Sequence, residues 1–439
     1  MWYWVSNGQW ISEERSLSGG GELFPKWDVI ITRAIIFGPS IRIIEMSCPR
    51  LPLNRTSRYL YTSLFSKRPL QFDCQPFRSF SGKMRLKEVS HLELPPTADM
   101  HVHLRDGPMM ELITPQIRKG GVDTVFVMPN LVPPITTVKH ALEYQNRLQA
   151  IEPNVNYLMS LYLHPSITPE VIVEAASAGI AGVKVYPQGV TTNSASGVAN
   201  LDDFFPVFEA MEKHDLVLNI HGEVPDVNVM NAEEAFLPTL KRIHEHFPNL
   251  RIILEHCSTA AAVEAVRSCG PSVAATITAH HLYLTIDDTV NPLAFCKPIA
   301  KTPEDRNALL KATCSGDPKF FFGSDSAPHP TSSKQGATPA AGVYTQSFAT
   351  QYVLKALEDA IETGIISESD VTQERLENFL SRYGRKFYKL PEADKSASRI
   401  VLERKGETIP KTIRNADGSV EVALSRGGEK VFSLQWASQ

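Results

Sequence analysis

The 439-residue sequence lacks cysteines at CxxC or any other paired spacing; its six, at positions 48, 74, 257, 269, 296 and 314, stand apart. That pattern excludes a disulfide framework and suits free or buried thiols in a reducing compartment. Excess positive charge is also missing. A formal net charge of −4 argues against nucleic acid as the main partner, because phosphate binding needs concentrated basic surface. No apolar run approaches the ~18 to 20 residues that cross a bilayer. Residues 29–44 come nearest and are broken by Arg33, Pro39 and Arg42. With 43% hydrophobic and 21% charged residues, the expectation is a soluble, cytoplasmic globular protein acting on a small molecule, without nucleic acid or membrane as partner.

Residues 1–85 lack clear periodicity and carry scattered aromatics, Gly19-Gly20-Gly21 and many Ser and Arg. Between Ser47 and Lys83 the sole acid is Asp73, the bias of an organellar transit peptide. The plainer readings are a disordered N-terminal extension or a start upstream of the true one, with Met84 as the alternative. Residues 86–390 read as the main domain and 391–439 as a small β-rich tail packing on it.

From about residue 90 the chain takes up a rhythm. Apolar, β-branched-rich runs recur at 97–103, 122–128, 156–163, 182–186, 216–220, 251–254, 272–277 and 319–322. Helical spacing fills the gaps, as at 201–213, 232–246, 260–268 and 303–313, several of them preceded by Asp, Ser, Thr or Asn caps. Eight alternations with near-continuous apolar strands predict a parallel α/β fold, a closed (β/α)8 TIM-type barrel of about 250 residues or more. A doubly wound open sheet would share the rhythm, but the polar residues discriminate. His101, His103, Asn130, Lys184, His221, His256 and Asp325 lie in, at or just beyond the ends of the runs, and only closure gathers strand ends at one mouth.

In Asp99-Met-His-Val-His-Leu-Arg-Asp106, His101 and His103 are two apart, so an extended strand puts both imidazoles on one face, within reach of one cation. The competing reading is a pair of polar residues at a strand end. Lys184, in Gly182-Val-Lys-Val-Tyr186, sits where burial would lower the amine pKa. An amine neutral enough to react with carbon dioxide gives a carbamate able to bridge two cations; the bland alternative is a surface lysine. Four histidines, that anion and Asp325 would supply two metal sites, and mixed imidazole and carboxylate ligands suit Zn²⁺ best among divalent transition ions.

The set Asp99-Met-His-Val-His-Leu-Arg-Asp-Gly107, Met128-Pro-Asn130, Gly182-Val-Lys-Val-Tyr-Pro187, Thr191-Thr-Asn193, His221-Gly-Glu223, Glu255-His256 and Gly323-Ser-Asp-Ser-Ala-Pro-His329 closely resembles dihydroorotase, of the shorter bacterial-type class within the amidohydrolase superfamily. The resemblance runs from about residue 90 to near the C-terminus. It implies two zinc ions per subunit: His101, His103 and Asp325 on one, His221 and His256 on the other, with carboxylated Lys184 and hydroxide bridging them. It implies reversible cyclisation of N-carbamoyl-L-aspartate to L-dihydroorotate, with Asp325 as the catalytic proton shuttle. Arg105, which strand alternation would place on the face of His101, would bind the substrate carboxylate, Asn130 and His329 match the remaining substrate contacts of the family, and Thr191 and Thr192 resemble its mobile loop over the substrate. In Phe295-Cys-Lys-Pro298, Lys297 stands where some bacterial members have leucine.

His244 and His246 read as solvated, while His280 and His281 point near the mouth without an assigned role. The family often forms dimers, so a homodimer is the implied assembly, although nothing in the sequence marks an interface. Two alternatives share parts of the pattern: another cyclic amidohydrolase, of hydantoinase or allantoinase type, and a non-catalytic dihydroorotase-like scaffold. Arg105, Asn130 and His329 favour a carboxylate-bearing ring over the first, and the complete ligand set disfavours the second.

Overall fold

The computed structural model describes residues 85–391, 393 and 398–437, together with strands Trp2–Val5 and Gln9–Ser12. Those two short strands pair antiparallel. The remaining expectations for residues 1–84 lie outside the described residues.

The eight apolar runs become the barrel strands β1 (Thr97–Val102), β2 (Val122–Val127), β3 (Asn156–Leu158, continued by Ser160–Tyr162), β4 (Gly182–Val185), β5 (Val217–Ile220), β6 (Ile252–Leu254), β7 (Val273–Ile277) and β8 (Phe320–Phe322). Each pairs in parallel with the next. Closure comes just past β8, where Asp325 N donates to His101 O (2.8 Å) and His103 N to Ser326 O (3.1 Å). Gly323 sits in this seam because a Cβ there would meet Thr276 Cγ2 at 2.8 Å and His101 Cβ at 3.0 Å.

Strand alternation explains why the interior is apolar below and polar above. Ala98, Phe126, Val217, Ile253, Ala274 and Phe321 pack with Tyr388 in one buried cluster. Two residues further along the same strand faces stand Asn219, Glu255 and Thr276, and Asn219 and His221 continue that series on β5. The opposite strand faces, including Val125, Leu218, Ile252, Val273 and Phe322, pack outward into the main core. Helices run where the spacing predicts, among them Ala232–His246, Ala260–Ser268 and Pro303–Thr313. The last is started by a capping box of Thr302 and Asp305.

The C-terminal segment is β-rich, as expected, but it is not built from the tail alone. Ile400–Thr408 pairs antiparallel with Lys430–Trp436 on one side and with His91–Leu94 on the other. Trp436 fixes this sheet to the barrel: its Nε1 donates to Arg118 O (2.8 Å), and the Arg118 guanidinium lies 3.1 Å from the ring centre. Among the described residues no helix is long and apolar enough to cross a membrane, and Cys257, Cys269, Cys296 and Cys314 are free.

Candidate active site

At the C-terminal ends of the strands, His101, His103, Arg105, Asn130, Thr191, Thr192, His221, His256 and Asp325 line one small enclosed space, with Tyr186 and Lys297 beside them. Lys184 is fully buried next to it, its Nζ 5.0 Å from the Tyr186 ring centre. His329 reaches the group through Arg105: Arg105 Nη2 lies 3.1 Å from His329 Nε2, and Arg105 Nε donates to Pro328 O (3.0 Å). Every residue proposed from sequence is thus brought together.

The route taken by Arg105 differs from the one expected. β1 ends at Val102, and Arg105 has φ +57°, so a left-handed turn and not strand alternation delivers the guanidinium. His256 (φ +42°) and Asp325 (φ +43°) leave β6 and β8 by similar turns. Such backbone costs of order 1 kcal/mol for a non-glycine residue and is tolerated at functional sites. It lets Glu255 and His256, adjacent in sequence, both serve the interior.

Hydrogen bonds around the site decide which atoms face its centre. His101 Nδ1 donates to Glu255 Oε2 (2.7 Å), and His103 Nδ1 donates to Asn130 Oδ1 (2.8 Å), an amide oriented by its own Nδ2 donating to Thr192 O. The Nε2 atoms therefore face the centre of the site. They lie 3.4 Å and 3.0 Å from the same atom, Asp325 Oδ1. Burial pushes His103 down to about 4, so it is neutral at pH 7. Burial also pushes the Asp325 carboxyl up, but the adjoining His103 and His101 outweigh this and hold it below the usual carboxylate range. His101 Nε2, His103 Nε2 and Asp325 Oδ1 thus converge on one buried point, a donor set that suits a divalent cation.

The second half of the site carries the same signature. His221 Nε2 donates to Glu223 Oε2 (2.7 Å), leaving Nδ1 as that ring's lone pair. The buried His256 Nδ1 and Lys184 Nζ have no hydrogen-bond partner. Ring centres of His221 and His256 are 4.6 Å apart, and those of His256 and His101 5.0 Å. Burial, partly offset by Glu255 and Asp325, lowers the Lys184 amine to about 8. Among the described residues, His101, His103 and Asp325 thus form a group able to hold a metal ion, with the unpartnered nitrogens of His256 and Lys184 buried nearby.

Several supporting residues carried no assigned role in the sequence reading. Glu255 accepts not only His101 but also Asn219 Nδ2 (2.7 Å) and Thr276 Oγ1 (2.6 Å). Glu223 sits two residues from His221, and Tyr186 two from Lys184; that i, i+2 spacing was the available signal. His244 departs from expectation: it is half-buried, its Nε2 accepting Gly270 N (2.9 Å). His280 and His281 lie with Cys296 in a separate buried cluster, where His281 Nε2 donates to Pro298 O (3.0 Å).

The chain resembles known proteins over most of its length. Residues 153–334 match the amidohydrolase family model. The chain is 51% identical over 328 residues to a probable dihydroorotase of Schizosaccharomyces pombe, an alignment spanning 74% of this chain and 94% of that one. It is 45% identical over 370 residues to the dihydroorotase of Saccharomyces cerevisiae, spanning 79% and 99%. A crystal structure of the Saccharomyces cerevisiae dihydroorotase with 5-fluoroorotic acid superposes with a TM-score of 0.74 at 44% identity, covering 80% of this chain and all of that one. Identity at this level, across nearly the full length of those relatives, means that the chain belongs to the dihydroorotase family, hydrolases of cyclic amides built on the TIM barrel.

Proposed function

We propose that this chain catalyses the reversible cyclisation of N-carbamoyl-L-aspartate to L-dihydroorotate, a step of pyrimidine synthesis, with two zinc ions at the barrel mouth. His101, His103 and Asp325 would hold one, His221 and His256 the other, and Lys184, carboxylated on Nζ, would contact both. Ions bound there supply polarisation of the ring amide carbonyl and lower the pKa of water toward ~7. The observation that carries the reading is the convergence of His101 Nε2, His103 Nε2 and Asp325 Oδ1 beside an unpartnered lysine amine.

The protein's own groups divide the remaining work. Asp325, ionised at neutral pH, accepts a proton from the attacking water and returns it to the ring nitrogen as the C–N bond breaks. Arg105 meets the substrate carboxylate with a charged planar fork, held at its back by Pro328 O and beside a His329 ring that burial and Arg105 keep neutral. Asn130 has one amide proton left for substrate, because its Oδ1 serves His103 and its other N–H serves Thr192. Thr191 and Thr192 close the space from above. The room left among these groups is about 20 Å³, near that of a single water, and the 187–198 loop forms one wall of it through Thr191 and Thr192.

Metal analysis of the purified protein, native mass spectrometry for a carboxylated lysine, and ultraviolet absorbance of dihydroorotate test the proposal together. The expected result is two zinc ions, a carbon dioxide adduct on Lys184 and turnover of dihydroorotate. Turnover of hydantoin without dihydroorotate would replace the substrate, and a metal-loaded protein that turns over neither would end the enzymatic reading.

A further inference from the structure

We propose that Lys297 is a positioning residue that latches the 187–198 loop across the mouth, its ammonium bound to the Val190 carbonyl. The inference deepens the reading of the mouth as the substrate site and rests on it. Lys297 Nζ donates to Val190 O at 2.6 Å, a charge-assisted bond. The other polar ties from the loop to the barrel are neutral: Asn130 Nδ2 to Thr192 O, Asn193 Nδ2 to Asn130 O, Thr192 Oγ1 to Ala341 O and, at 3.4 Å, Tyr162 Oη to Asn193 O.

The two sides of the latch differ in rigidity. On the Lys297 side, Phe295 O accepts both Lys334 Nζ (2.8 Å) and Gly342 N (2.9 Å), and Pro298 O accepts His281 Nε2, so the segment is pinned before and after the lysine. On the other, the strap runs Gly-Val-Thr-Thr-Asn-Ser-Ala-Ser-Gly from 189 to 197, with Gly189 at φ +77°. Small residues between glycines give a segment that lifts easily. The lysine stem also forms the partition between the enclosed site and a neighbouring cleft of about 310 Å³ bounded by residues 188–190 and 223–227. Lifting the loop to admit or release a ring would break the Lys297–Val190 bond, and closing it would remake that bond. A lysine in this place therefore sets how long the site stays shut, which a leucine would do without a charged donor.

The test is hydrogen exchange on the full-length, metal-loaded protein, followed by mass spectrometry of peptides covering 187–198, for the parent, Lys297→Met and Lys297→Arg. Lys297→Met is expected to raise exchange in the loop about tenfold, with the barrel strands unchanged, and Lys297→Arg to restore most of the protection. With L-dihydroorotate as the probe, Lys297→Met raises KM proportionally more than it lowers kcat. Loop exchange equal to that of the parent overturns the latch. So does loosening spread equally over loop and strands, which marks a general packing role. Exchange without added ligand is independent of turnover, so a protein inactive on dihydroorotate whose loop still responds to Lys297→Met would refute the substrate and leave the latch standing.

Discussion

Replacing Glu255 by Gln isolates the effect of one buried charge behind the metal ligands. The carboxylate accepts His101 on Oε2 with Thr276, and Asn219 on Oε1. A glutamine keeps an acceptor for the first pair and turns an amide N–H₂ toward Asn219. Asn219 can accommodate it, because its Oδ1 is buried without a partner and an amide flip would bring that oxygen forward. The fold should therefore survive, and the loss falls on His101, whose ring no longer leans on an anion. Removing such a partner typically lowers metal affinity ~10- to 100-fold, about 1.4 to 2.7 kcal/mol. Competition against a chromogenic chelator gives the zinc Kd of parent and variant, and denaturant unfolding of the metal-free forms gives the structural cost. A Kd within about twofold of the parent would refute the argument, as would a metal-free stability loss above ~3 kcal/mol, which would make Glu255 a structural residue.

Asp325→Ala should lower turnover ~10²- to 10⁴-fold while moving the melting temperature little, read by dihydroorotate absorbance and calorimetry; near-parental kinetics would remove the proton shuttle. Arg105→Ala should raise KM ~10- to 100-fold by deleting a charge-assisted contact, and a fall in kcat at constant KM would contradict that role. Glu233 is buried and pushed up to about 7 by that burial, partly opposed by Thr259 Oγ1 and Ser258 N. Its folded state thus holds a proton that the unfolded chain releases near pH 4.5, so its contribution declines as pH rises from about 4.5 to 7, by ~3 kcal/mol. Denaturation across that window should show the slope in the parent and a flatter profile in Glu233→Gln; identical slopes would assign the titration elsewhere.

The barrel was legible in the sequence because strands buried on both faces leave continuous apolar runs, and Ala232–His246 was legible because its apolar stripe has helical period. The ligands were legible because strand ends converge in a closed barrel and in no other arrangement of the same rhythm. What stayed hidden depends on backbone geometry or on distant partners. Nothing local marks Arg105 as left-handed, so its arrival was credited to alternation. His244 resembled its solvated neighbour His246 until Gly270, 26 residues later, folded over its ring. Glu255 beside His256 could have faced either side of the strand, and only the turn after Leu254 lets both residues point inward. Asn130 was placed among the substrate contacts by position alone, and its second task, holding His103 Nδ1 on its Oδ1, joins residues 27 apart that no local spacing links.

The pairing of His91–Leu94 with Ile400–Glu403 joins two segments some three hundred residues apart in the sequence. During synthesis the earlier strand emerges some three hundred residues before the partner it needs, and its backbone donors and acceptors wait unpaired in the meantime. Ribosomes must release almost the entire polypeptide before that sheet can assemble, which makes late nascent chains the species most exposed to edge-to-edge association. A stop codon between residues 330 and 399 would strand the waiting edge permanently, even with every catalytic side chain already translated.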